Sequence, residues 1–369
     1  MKRRLMFFVF LILALLVVYL QPVFFPRQAQ TIRPHDSQAT GEGTITNMQA
    51  DPVAAEGFAT EIGSSLKDFE KTHGAPIISY DSGYGFTISR YETEETGFLE
   101  VNSEDGKVVA IKSTGIDGQE IAPFSLNMSM GDLAAITMLF PNFTIDDEGA
   151  EIQIELMEED LNYRPLLVFD NGVYGILFFN RNSELYGVMY LTKDMLLKLA
   201  PYNLISGEVP AMKAQATEWG EINQAKIDQG FQLLNALRLQ EELPLYETTY
   251  TLQGQGRDFL TRFLKNPQKH LSESRYESFR KVTEDASNEV FMVTGSEFTD
   301  LAKAVGVADI QGFFETPCYD LTFQILSWYS DPYMHARFME EQKQAIAIGI
   351  SQQNMVILFE DVAETEDSD

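Results

Sequence analysis

The run from Leu5 to Phe25 constrains this chain more than any other feature, because it decides where the rest must fold. Lys2, Arg3 and Arg4 precede an apolar stretch from Leu5 to Leu20 that continues through Val23, Phe24 and Phe25. A helix needs roughly 17 to 25 residues to cross the hydrocarbon core, and a basic cluster keeps its own end in the cytoplasm. Only Ala29 offers a small residue near a cleavage position, so 1–26 reads as an uncleaved signal anchor, a single-pass transmembrane helix. The bulk is then expected outside the cell membrane, joined to its anchor by a polar spacer over 27–56.

Charge and cysteine usage narrow the setting. The formal net charge of -28 repels phosphate backbones, which excludes nucleic acid as a partner. Cys318 is the single cysteine, so no intrachain disulfide forms. A large disulfide-free ectodomain fits the surface of a bacterium with one membrane. No basic side chain lies within four residues of Cys318, which reads as an inert packed thiol. The end, 362–369, reads as a solvated acidic tail.

Two similar passages follow the spacer. The first places an amphipathic helix near Leu66–Thr72, then alternating runs with a hairpin turned at Asp105-Gly106. The second repeats the order, with a helix expected to run to Pro141 and turns at Asn171-Gly172 and Asn182-Ser183. Together they predict a duplicated helix-plus-antiparallel-meander domain over 57–205. His73 reads as a cation at a helix C-terminus.

Beyond a linker the pattern becomes helical. Ile227, Phe231, Leu234 and Leu237 share one helix face that Pro244 ends, Phe259 and Phe263 a second, and Leu321, Ile325 and Trp328 a third. The strand pair "AIAIGISQQNMVILFED" alternates and turns near Gln352–Asn354. Helices flanking a small antiparallel sheet result, so the fold class is α+β: a membrane helix, the duplicated domain and a C-terminal α-β-α sandwich over 221–361.

This order of landmarks resembles the CAP superfamily (cysteine-rich secretory proteins, antigen 5, pathogenesis-related 1). Asn235, Arg238 and "LPLY" resemble its opening helix and exit, "QKH" its first histidine, "GFFE" its Gly-Glu and "SWYSDPYMHARF" its last motif. The duplicated passage resembles the domain preceding CAP domains in some Firmicute membrane-anchored proteins. The resemblance implies a pocket of His270, Glu315, Asp331 and His335. Around it the family pattern departs: Thr316-Pro317 replaces Asn after Glu315, Met334 stands for Gly before His335, and 286–310 is an insertion.

Two histidines with carboxylates suit a divalent metal such as zinc, held by His270, Glu315 and His335, or general acid–base work. Asp331 before Pro332 equally suits a helix N-cap. The functional expectation is a non-catalytic binding or interaction module, whose partner is a cell-wall component or surface protein. The alternative is a metal-assisted hydrolase acting on the wall through the His/Glu pocket.

Overall fold

A computed structural model describes residues 52–94, 96–284, 289–307, 310–342 and 344–362. The expected anchor, the spacer up to residue 51 and the tail beyond 362 lie outside the described residues. Among the described residues no helix is long and apolar enough to cross a membrane.

The two N-terminal passages merge into one sheet. The first contributes helix α1 (Leu66–His73) and strands β1 (Ile78–Asp81), β2 (Thr87–Tyr91), β3 (Phe98–Glu104) and β4 (Lys107–Thr114). The second contributes α2 (Met130–Ile136), β5 (Asn142–Asp147), β6 (Ala150–Glu155), α3 (Glu158–Tyr163), β7 (Leu166–Val168), β8 (Tyr174–Phe179), β9 (Leu185–Leu191), α4 (Lys193–Leu199) and β10 (Asn203–Ser206). Antiparallel pairing of β4 with β9 joins the passages in a seven-stranded sheet, β1-β2-β3-β4-β9-β8-β7. The duplication is therefore incomplete: β5 and β6 leave to pair with β10 in a separate three-stranded sheet. Their strict alternation, Phe143 and Ile145 facing in against exposed neighbours, suits a sheet buried on one face.

Local signals explain most ends. Ser65 caps α1 through a 3.2 Å bond from the Asp68 amide. His73 closes the helix, stacked on Phe69 at 4.2 Å with Nε2 2.9 Å from Glu61. Asp105 and Gly106, both at positive φ, turn the β3–β4 hairpin, and Ser183 does so between β8 and β9. Helix α2 stops at Ile136, short of Pro141, because Thr137 is already extended.

The C-terminal part places α5 (Gly220–Gln240), α6 (Tyr250–Lys265), α7 (Pro267–His270), α8 (Glu273–Glu284) and α9 (Gly295–Ala304) around a four-stranded sheet. That sheet orders β11 (Phe291–Val293), β12 (Gln311–Thr316), β14 (Asn354–Asp361) and β13 (Gln344–Ser351). Helices α10 (Leu321–Ser330) and α11 (Pro332–Phe338) lie between β12 and β13 in sequence. The insertion is thus no loop: it supplies edge strand β11 and helix α9. Strand alternation builds two cores from one sheet, with Met355, Ile357 and Phe359 facing α5 and α10 while Val356 and Leu358 face Phe259 and Phe263 of α6.

The two parts share a core. Met189 and Leu191 of β9 join Leu233, Leu237, Ile325 and Trp328 in one cluster, while Val188 and Tyr190 face the other side of the seven-stranded sheet. Helices α5 and α10 are therefore covered by a sheet on each side. A Cβ on Gly230 of α5 would meet Leu321 at 2.5 Å, so glycine allows the two helices their close approach. Arg238, 0% exposed, donates to the carbonyls of Pro244, Phe338 and Glu340, so this family-motif residue is a structural clasp.

Candidate functional site

Period-two alternation puts Glu315 on the same face of β12 as Phe313, pointing at α10. Trp328 stands edge-on to Phe313 at 4.9 Å, and its Nε1 donates to Glu315 Oε2 at 2.8 Å. Oε1 has no hydrogen-bond partner among the described residues, and the residue is 0% exposed. Burial pushes this carboxyl up to about 8, against the Trp328 hydrogen bond and the Arg164 charge, which pull it down. Glu315 is accordingly a protonated, neutral acid at neutral pH.

Glu315 lines a cavity of about 590 Å³ walled by both parts of the protein. The C-terminal part contributes Glu315, Ser327, Trp328, Asp331 and Met334. The N-terminal part contributes Arg164, Tyr202 and the segment after α4. Arg164 follows α3 and is held by Asp160 at 2.8 Å, while its Nη1 donates to the Ser327 carbonyl at 3.2 Å. Tyr202 donates to the Arg164 carbonyl at 2.7 Å. Ser327 Oγ, like Glu315 Oε1, is buried without a partner among the described residues.

Of the four residues singled out by sequence, the structure brings two to this cavity. Asp331 lines it while serving as the α11 N-cap, its Oδ1 accepting from the Tyr333 and Met334 amides at 2.9 and 2.8 Å. His335 does not line it. Its ring is 3% exposed, packs edge-on to Tyr329 at 4.5 Å, and places Nδ1 2.8 Å from the Tyr329 carbonyl. The helical turn that begins at Pro332 carries this imidazole into the core, and burial lowers its pKa. His270 ends α7, partly exposed and outside the cavity lining, its pKa lowered by burial and then by Lys269. The Glu241 carboxylate pulls the His335 imidazole up, but burial outweighs it.

The residues do not fit the expected metal. Among the described residues no group of three His, Cys, Asp or Glu is placed to hold an ion, and His270, Glu315 and His335 do not converge. Cys318 is 4% exposed, and burial pushes its thiol far up, consistent with a packed thiol. Arg164 and Ser327 escaped the sequence reading. The run "LSWYS" was visible, but nothing local marks a serine that packs its hydroxyl against no partner, and Arg164 lies 163 residues away.

Comparisons with known proteins agree with this architecture. Residues 62–202 match the family model described as CAP-associated N-terminal. A Bacillus subtilis (strain 168) protein bearing the name uncharacterized membrane protein YlbC is 23% identical over 221 residues, 58% of this chain. The match spans 64% of that relative, less than two thirds of its length. Two solved structures share the fold with a TM-score of 0.63 each. One is a cysteine-rich secretory protein from Staphylococcus aureus subsp. aureus Mu50, 18% identical, covering 85% of this chain and 97% of that one. The other is an extracellular protein containing an SCP domain from Bacillus anthracis str. Ames, 17% identical, covering 88% and 100%.

Proposed function

We propose that this chain, whose residues 62–202 match the CAP-associated N-terminal model and whose fold is shared with the two solved structures, is a membrane-anchored bacterial surface protein whose head binds a cell-wall component or partner protein without transforming it. The observation that carries this reading is the isolation of Glu315. Its carboxyl meets Trp328 and the Arg164 charge, while both imidazoles lie outside the cavity lining. Hydrolysis by general acid and base needs a second titrating group within reach of the same substrate atom. Of the other acids on this wall, Asp331 caps a helix while Asp320 and Glu289 are ion-paired, so what it offers is a neutral acid, a hydroxyl and aromatic surface, which suit recognition. Anchoring is supported by the Leu5–Phe25 run behind its basic cluster and by the membrane-protein name of the Bacillus subtilis relative.

The test is to incubate the full-length chain, in detergent micelles, with purified bacterial cell walls. Sedimentation with the walls and no release of soluble sugar or peptide fragments is expected. Fragment release that disappears in Glu315→Gln would replace this reading with the hydrolase. Protease added to intact cells should remove the head while leaving a membrane-embedded stub.

A further inference from the structure

The charged side chains on the cavity wall are already engaged. Arg164 is held by Asp160, and Lys198 by both Glu104 oxygens at 2.9 and 2.7 Å. Glu289 is bonded by Lys281, and Asp320 by Lys112 and Asn102. Asp331 directs Oδ1 to two helix amides. The wall cations thus have carboxylates of their own, and an anionic ligand entering here would lose water without gaining a counter-ion.

Two buried polar atoms on this wall lack a partner among the described residues. Glu315 Oε1 and Ser327 Oγ are buried and unpartnered, on residues 0% and 8% exposed that line the same cavity. A buried polar group without a partner forfeits its hydration without replacement, so two on one wall call for an explanation. A protonated carboxyl and a hydroxyl each donate one hydrogen bond and also accept. Trp328, Phe323, Met212 and Pro317 line the same space with apolar surface.

We propose that this cavity is a subsite for an uncharged secondary amide, its C=O and N–H shared between Glu315 and Ser327 and its alkyl flanks against Trp328 and Met212. The proposal rests on the binding reading above and adds the chemistry of the ligand. A secondary amide presents one acceptor and one donor on opposite edges of a small plane with apolar flanks. Arg164 is a positioning residue here: it fixes the Ser327 carbonyl from the N-terminal domain, so the subsite is complete only when both domains are docked. Two sources carry such a group, the N-acyl branch of an amino sugar and the backbone of a peptide.

The chain has two tryptophans, and one of them is in the wall. Full-length protein labelled with 5-fluorotryptophan in detergent micelles therefore gives a fluorine NMR reporter at Trp328, assigned by Trp219→Phe and independently by Trp328→Phe. The probes are triacetylchitotriose and a blocked alanine dipeptide, with cellotriose as the amide-free comparator. The Trp328 resonance should shift saturably with at least one amide probe, and cellotriose should bind at least about tenfold more weakly. The probe that binds identifies the source. Glu315→Leu and Ser327→Ala should each weaken binding by about tenfold or more, whereas Glu315→Gln, a neutral donor and acceptor, should retain it. Equal binding of cellotriose, or undiminished binding by a natively folded Glu315→Leu, would overturn the proposal. If neither amide probe moves Trp328 while the chain still sediments with cell walls, the amide subsite falls and the surface-binding reading stands. If the chain does neither, both fall.

Discussion

Helix α10 touches two buried ionisable regions that are built in opposite ways. At its N-terminus Asp320 meets Lys112, which also holds Glu100, with all three residues at 2% exposure or less. Asn102 donates to Asp320 at 2.8 Å, Thr322 donates to Glu100 at 2.5 Å, Gln229 donates to the same Glu100 oxygen, and the Phe323 amide caps on Asp320 at 2.9 Å. Burial opposes the charge on Lys112, yet Asp320 and Glu100 hold its pKa above the ordinary value. Burial likewise works against charge on Asp320, and Lys112 overcomes it and holds the carboxyl low. Near the other end of the helix Glu315 has one hydrogen bond, no ion pair and a neutral carboxyl. The first region joins β3 and β4 of one domain to α5 and α10 of the other, and its Lys112–Asp320 ion pair across that boundary marks a joint. The second keeps hydrogen-bonding capacity unspent, which marks a place to bind something.

The comparison breaks most visibly at Lys112. Lys112→Met should leave Glu100 and Asp320 without their cation in a dry interior and destabilise the protein by about 3–5 kcal/mol. Urea unfolding of the full-length chain followed by circular dichroism reads this, and a loss below about 1 kcal/mol would mean that the joint does not hold the domains. The next effect is the pH dependence of Glu315. Its folded pKa, about 8, lies above the ordinary value of 4.5, so the native state binds the proton more tightly than the unfolded chain. Stability contributed by this group should therefore fall as pH rises from 4.5 towards 8 and level off beyond. Glu315→Gln should remove that slope, gaining roughly 4–5 kcal/mol on the wild type across the window. Parallel stability curves would refute a buried neutral acid.

Smaller changes sharpen the contrast. Trp328→Phe removes the donor to Oε2 while keeping an aromatic ring near Phe313, and should cost about 2 kcal/mol while raising the Glu315 pKa further. Carboxyl infrared absorption across a pH titration checks the second part. Ser327→Ala should change stability by less than about 0.5 kcal/mol, or raise it, because its hydroxyl has no partner to lose. A large loss there would show that the hydroxyl is structurally engaged and would remove the contrast at its weakest point.

Much of the framework was legible because it is local. Asp105-Gly106 turns a hairpin wherever it occurs with alternating flanks, and Leu321, Ile325 and Trp328 align on any helix. Asp331 before Pro332 was readable as a cap, and it is one. Of the pocket, Glu315 was found from a loose motif and does line the cavity, whereas His335 in the better-kept motif turns to the Tyr329 carbonyl. Sequence spacing gives a side chain's position along a helix, but not whether its ring faces a cavity or a neighbouring carbonyl.

The sequence by itself determined the periodic faces, the turns, the apolar run at the start and the acidic surface, because each depends on residues within a few positions of one another. Only the tertiary structure decided that β4 and β9 would fuse two passages into one sheet, that Lys112 would meet Asp320 across 208 positions, and that Arg164 would wall a cavity with Ser327 and Glu315. Those choices are set by competition among burial, hydrogen-bond satisfaction and packing over the whole chain. The same competition leaves Glu315 protonated and unpaired while burying His335, an outcome that no single stretch of sequence encodes.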